Sequence, residues 1–135
     1  MHEWQSVALK TLPEMRSEIT RAEDPLTLWM EIVLTFDEAY EPPKNDDFIK
    51  RVYDYADWCL DRDGGETAAD HLPTCVTMFW EHIPTNEAAR QDMPRWLSWE
   101  QVLANEHFFK YRLTEDELAD LERVYAKANP GSTAA

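Results

Sequence analysis

Apolar residues recur along this chain every three or four positions, the spacing that collects side chains on one face of an α-helix, and no segment shows convincing strand alternation. From Pro25 onward, Leu26, Trp29, Ile32, Val33, Phe36 and Tyr40 mark a broad apolar face, with Leu28, Met30, Leu34 and Ala39 widening it. This predicts a central helix from Pro25 to about Glu41. Asp24 supplies an N-cap and Pro25 occupies the first helical position, where its missing N–H costs nothing. Pro42-Pro43 stops it. A second helix is predicted from Asn45-Asp46 to about Asp61, with Ile49, Val52, Tyr53, Ala56, Cys59 and Leu60 on its stripe, and Gly64-Gly65 ends it. Further helices are expected from near Leu72 to Ile83-Pro84, over Asn86 to Asp92, after Ser98, and along Leu118, Leu121, Val124, Tyr125 and Ala128. Asn129-Pro130-Gly131 terminates the last. Thr11 with Glu14, Ser98 with Gln101 and Thr114 with Glu117 read as capping boxes, in which each side chain satisfies the other residue's free amide. The pattern predicts an all-α protein: a single compact domain over 1–128 with five to seven helices, stacked as irregular hairpins or a bundle. A flexible tail over 129–135 has nothing to bury.

The densest stretch is "WEHIPTNEAARQDMPRWLSWE", residues 80 to 100, with three of the chain's tryptophans, a histidine and two prolines. It reads as a joint between helices. Ile83-Pro84 stops one helix, Thr85-Asn86 caps the next, and Met93-Pro94 stops that in turn. Trp80, Trp96 and Trp99 then close the core around the turns.

A chain of 135 residues fits one domain, and its 44% apolar content supplies an ordinary core. Charge changes the picture more. Thirteen basic against 27 acidic residues give a net charge of −14, which repels nucleic acid backbones and anionic membrane surfaces and attracts basic partners. Neither nucleic acid nor membrane is an expected partner. The first residues lack the basic start and apolar run of a signal peptide, and Glu31 interrupts the most apolar stretch, so a cytoplasmic location is expected. The two cysteines are too few for a disulfide framework and are expected to remain thiols.

Candidate chemistry is sparse. Cys59, His71, Cys75 and His82 are residue types that zinc takes, and a single helix from Thr67 to Ile83 would put His71, Cys75 and His82 on one face. Pro73 disfavours that helix, leaving His71 in a loop and the cysteines as core thiols; no metal or cofactor is expected. Glu81-His82 and Glu106-His107 are not acid-base dyads, because adjacent helical residues point about 100° apart. Glu106 falls among Trp99, Val102 and Phe109 on the inferred apolar face, which calls for a partner such as Arg90 or Arg95. A pocket lined by His71, His82 and Glu106 is the basis of the alternative reading, a small helical enzyme or ligand-binding domain. No catalytic triad order, phosphate loop or dinucleotide fingerprint accompanies it, so no catalytic residue is assigned.

The second helix offers a more specific surface. Asp47, Lys50, Asp54, Asp57 and Asp61 line its polar side, with Trp58 beside them, about 180° from Ile49. Trp58 either packs under another helix of the chain or anchors an acidic, aromatic patch, Asp54, Asp57, Trp58 and Asp61, for a basic protein. The segments "NDDFIKRVYDYADWC", "TCVTMFWEHIPTN" and "ARQDMPRWLS" resemble a family of short, uncharacterised bacterial helical proteins, a domain of unknown function. The resemblance spans roughly Leu28 to Leu97 and implies a helical fold, with no catalytic residue to carry over. The leading expectation is a non-enzymatic interaction protein that binds a basic partner, as immunity-type and antitoxin proteins do. A third reading is a homo-oligomeric subunit associating through Trp58.

Overall fold

The computed structural model describes residues 1–62 and 70–128, and among them every regular element is helical, the all-α class that the periodicity implies. The α-helices are α1 (Glu3–Thr11), α2 (Arg16–Arg21), α3 (Pro25–Ala39), α4 (Asp46–Leu60), α5 (Leu72–Cys75), α6 (Thr77–His82), α7 (Glu87–Asp92), α8 (Trp99–Ala104), α9 (Glu106–Lys110) and α10 (Glu115–Ala128). Single 3-10 turns occupy Pro13–Met15, Ile83–Thr85 and Met93–Arg95. Prolines set the fine division: each of those turns, and α5, carries a proline in its first two positions, where the ring starts a helical turn but cannot continue one already running. The expected stop at Gly64-Gly65, the terminator Asn129-Pro130-Gly131 and the tail 129–135 lie outside the described residues. The chain divides into two compact units, Met1–Phe79 and Trp80–Ala135.

In the first unit α4 packs against both α1 and α3, and α3 also meets α2 and α5. The caps form as the sequence implies: Asp24 accepts from the Thr27 amide at 2.8 Å and Asn45 from the Phe48 amide at 3.1 Å. Trp29, Ile32 and Phe36 of α3 are fully buried, as are Ile49, Val52 and Ala56 of α4. Phe79 fastens the two. Its ring lies 5.2 Å from Trp29, 5.0 Å edge-on to Phe36 and 5.3 Å from Tyr53, within the range where aromatic pairs add to plain burial.

Three expectations need correction here. Met30 and Leu34 do not widen the buried face of α3; they are 53% and 60% exposed, because the helices packed on α3 lie on the side of Trp29 and Ile32. On α4 the error has the opposite sign. Phe48 and Tyr55 are buried although they fall outside the predicted stripe, since a helix packed on two sides buries a wider arc, while Leu60 at the end is exposed. Tyr55 also donates to the Trp4 carbonyl at 2.9 Å, so its hydroxyl is satisfied. Thr11 and Glu14 form no capping box. Thr11 ends α1, and its hydroxyl donates back to the Val7 carbonyl at 2.8 Å. Glu14 instead receives both terminal nitrogens of Arg51, at 2.6 and 2.7 Å, and Arg51 donates also to the Thr11 carbonyl and to Asp47, each at 2.9 Å. This fork ties the end of α1 to α4.

The second unit holds the predicted joint. Asn86 caps α7 by accepting from the Ala89 amide at 3.1 Å, and the capping boxes Ser98/Gln101 and Thr114/Glu117 both form. Trp80 packs on Phe109 with ring centres 5.8 Å apart, Trp99 on Tyr125 at 5.0 Å, and the Trp96 indole N–H donates to Asp92 at 3.0 Å. Tyr125 sends its hydroxyl to the Leu97 carbonyl at 3.0 Å. Arg90 is buried in α7, where its Nε donates to Asp120 of α10 at 2.7 Å and an Nη to the Pro84 carbonyl at 2.8 Å. A buried cation satisfied in this way fixes α7 on α10, whereas one stripped of its partners would be costly.

Two measurements test this packing. In denaturant unfolding, Trp29→Ala, Phe36→Ala and Phe79→Ala should each lower stability by about 3–5 kcal/mol, and Leu34→Ala by less than about 0.5 kcal/mol. Arg90→Ala should cost about 3 kcal/mol by the same assay at neutral pH, and a neutral result would remove the Arg90 tie from the account of the second unit.

Candidate functional site

The outer side of α4 is built by spacing alone. Asp54, Asp57 and Asp61 follow at three and four residues, so the helix stacks them in one column, and all three are exposed. Lys50 sits one turn before Asp54 and pairs with it at 2.9 Å, both side chains largely in water. Such a pair adds only a few tenths of a kcal/mol. The lower end of the column is less comfortable. Partial burial, then the charges of Asp54 and Asp61, hold the Asp57 carboxyl above its ordinary range. Asp57 and Asp61 also stand at the C-terminal end of α4, where the helix dipole disfavours anions and the last turn carries no basic residue. These acids do not help α4 fold.

Trp58 stands next to the column and is partly buried. Tyr55 stacks against it at 5.8 Å with the rings 13° from parallel, and the Arg62 guanidinium lies 4.4 Å from the ring centre. The outcome thus falls between the two readings of Trp58, neither hidden nor bare. Arg62 is the site residue that sequence reasoning missed. Its signal was available: it follows Trp58 by four residues and so falls one turn along the same side. A cation held over an indole is an electrostatic contact that a second cation can contest.

The remaining candidates have local roles. His71 lies just before Leu72, outside the helix as expected, and caps α5, its Nδ1 accepting from the Thr74 amide at 3.1 Å. His82 closes the last turn of α6, and its carbonyl accepts from the Thr85 hydroxyl at 2.6 Å. Glu106 corrects the sequence reading. Asn105 divides α8 from α9, which rotates Glu106 out of the apolar face; the residue is exposed and pairs with Lys110 at 3.1 Å, while Arg95 pairs with Asp92 at 3.2 Å. Glu81, in the other Glu-His pair, lies 3.7 Å from Arg112.

Cys59 and Cys75 are both buried thiols, and burial pushes their pKa values up to about 12 and about 11. That makes them protonated and poorly nucleophilic at neutral pH. Among the described residues no three His, Cys, Asp or Glu side chains converge as metal ligands, and no helix is long and apolar enough to cross a membrane. A surface cleft of about 500 Å³ runs beside Arg95, Trp96 and Trp99, and others of about 260 and 410 Å³ lie by Glu38 and by Lys127; His71, His82 and Glu106 line none of these three.

The Asp57 environment gives a signed pH prediction. A carboxyl whose folded pKa is raised carries a penalty above that pKa, and the penalty is relieved as pH falls through it. Asp57→Asn should therefore melt at or above the wild-type temperature at neutral pH, and its advantage should shrink as acid protonates Asp57 in the wild type. Melting curves across the acid range check this, and an advantage that grows toward low pH would contradict the assignment.

Compared with family models, with curated proteins and with solved structures, the chain shows no match to any of them.

Proposed function

We propose that this chain is a non-enzymatic interaction module that binds a basic protein through the acidic side of α4, in the manner of immunity-type or antitoxin proteins that neutralise basic partners. The observation that carries the reading is the column itself. Asp54, Asp57 and Asp61 stand exposed along the C-terminal half of α4 and its cap, where they repel one another, and Asp57 and Asp61 also oppose the helix dipole. A basic surface laid over them turns that repulsion into attraction, and the net charge of −14 steers such a partner from a distance. Trp58 gives the patch an apolar centre, and a partner's arginine can replace Arg62 over its ring.

The alternative of a pocket built on His71, His82 and Glu106 has less support, since His71 is engaged as a helix cap and Glu106 in an exposed ion pair.

Affinity capture from the source cell at low salt should recover a protein of high isoelectric point, and raising the salt should release it. Asp57→Lys combined with Asp61→Lys should abolish the capture while leaving unfolding free energy within about 1 kcal/mol of wild type. Retained binding by that variant, or a captured partner that is itself acidic, would sink the proposal.

A further inference from the structure

A second surface, separate from the α4 column, lies on α3. Met30 and Leu34 are 53% and 60% exposed and sit about 160° around the helix from buried Ile32. Leu26, one turn earlier, and Val33 beside them are partly exposed, so α3 is apolar on two sides although it packs on one. Leu26, Met30 and Leu34 follow at four-residue steps and form a ridge about 12 Å long. Ridges of that kind seat another helix, whose anchors repeat at three, four and seven residues. Methionine at the centre suits such a site, because its unbranched chain adapts to the partner's shape.

Charge decides what kind of helix fits. Between Arg21 and Lys44, whose Nζ lies 5.2 Å over the Tyr40 ring and pairs with Asp46, there is no Lys or Arg, while Glu23, Asp24, Glu31, Asp37, Glu38 and Glu41 lie along the segment. The last turn of α3 ends in Asp37 and Glu38 against the negative end of its own dipole, without a basic residue in that turn. With Glu31 and Glu38 flanking one side of the ridge and basic residues only beyond the ends of α3, the face disfavours a second copy of this chain, whose net charge is also −14, and complements a cationic helix. We propose that the outer face of α3, centred on Met30 and Leu34, docks an amphipathic helix of a partner protein, with apolar anchors on the ridge and Lys or Arg toward the flanking carboxylates. The proposal stands apart from the α4 reading: either surface can fail while the other holds.

The test uses the full chain and a fluorescent designed peptide, helical, with leucines at three- and four-residue spacing and lysine flanks. Two control peptides keep its length: one with glutamate flanks, and one with the lysines kept and the leucines replaced by serine. Anisotropy titrations should show saturable binding of the first peptide, about tenfold or more weaker binding of the serine control, and none of the glutamate one. Leu34→Asn and Met30→Asp should each weaken binding of the first peptide about tenfold with unchanged melting, Leu34→Asn doing so without altering charge. Asp57→Lys with Asp61→Lys should change it by no more than about twofold. Equal binding of the leucine and serine peptides, or indifference to Leu34→Asn, would overturn the proposal. So would concentration-dependent dimerisation abolished by Leu34→Asn, which would assign the ridge to a second copy, and so would loss of binding only in the α4 variant.

Discussion

Phe79 is the contact on which the first unit turns. A fully buried ring that meets Trp29, Phe36 and Tyr53 at 5.0 to 5.3 Å holds α3 and α4 in one rotational setting, because edge-on and offset ring contacts are lost when either helix turns about its axis. That setting decides everything outside it. With Trp29 and Phe36 turned inward, Met30 and Leu34 must face water; with Tyr55 turned inward against Trp29, Asp57, about 160° away around α4, must too. The two candidate surfaces are therefore consequences of one aromatic cluster, seen from its far sides.

Scarcity of positive charge shapes the rest. Thirteen basic residues serve a chain with 27 acids, and the best placed of them act as ties: Arg51 joins α4 to the end of α1, and Arg90 joins α7 to α10. Arg51 and Arg90 hold the carboxyls of Glu14 and Asp120 below their ordinary range. These ties add stability above the usual carboxylate pKa and lose it as pH falls through the lowered values. Asp57 behaves oppositely, its penalty belonging to neutral pH. Acid thus loosens the structural ties while easing the α4 surface, which separates the groups that hold the fold from those of the α4 column.

The joint over residues 80 to 100 folds much of its density of aromatic and charged residues into caps, stops and ties. Asn86 and Ser98 restart helices, Asp92 holds Trp96, and Arg90 reaches back to the Pro84 carbonyl, so these polar groups each have a backbone or neighbouring partner. Trp80 and Trp99 contribute ring contacts with Phe109 and Tyr125. The local grammar of caps and stops accounts for most of the stretch.

That grammar is what the sequence determined by itself. The caps at Asp24, Asn45, Asn86, Ser98 and Thr114, the proline stops and the column Asp54, Asp57, Asp61 are all set by residues within one or two turns of each other, and local spacing encodes them fully. Tertiary structure decided the rest. The burial of Phe48 and Tyr55 depends on α4 being packed on two sides, the exposure of Met30 and Leu34 on α3 lacking a packed helix there among the described residues, and the failure of the Thr11 cap on Arg51 arriving from a helix 40 positions away. Glu106 left the apolar face because α8 ends at Asn105, a break that periodicity read as continuous. Apolar spacing tells which side of a helix can be buried; only the arrangement of neighbouring helices settles how wide that side is and which carboxylates a distant arginine will claim.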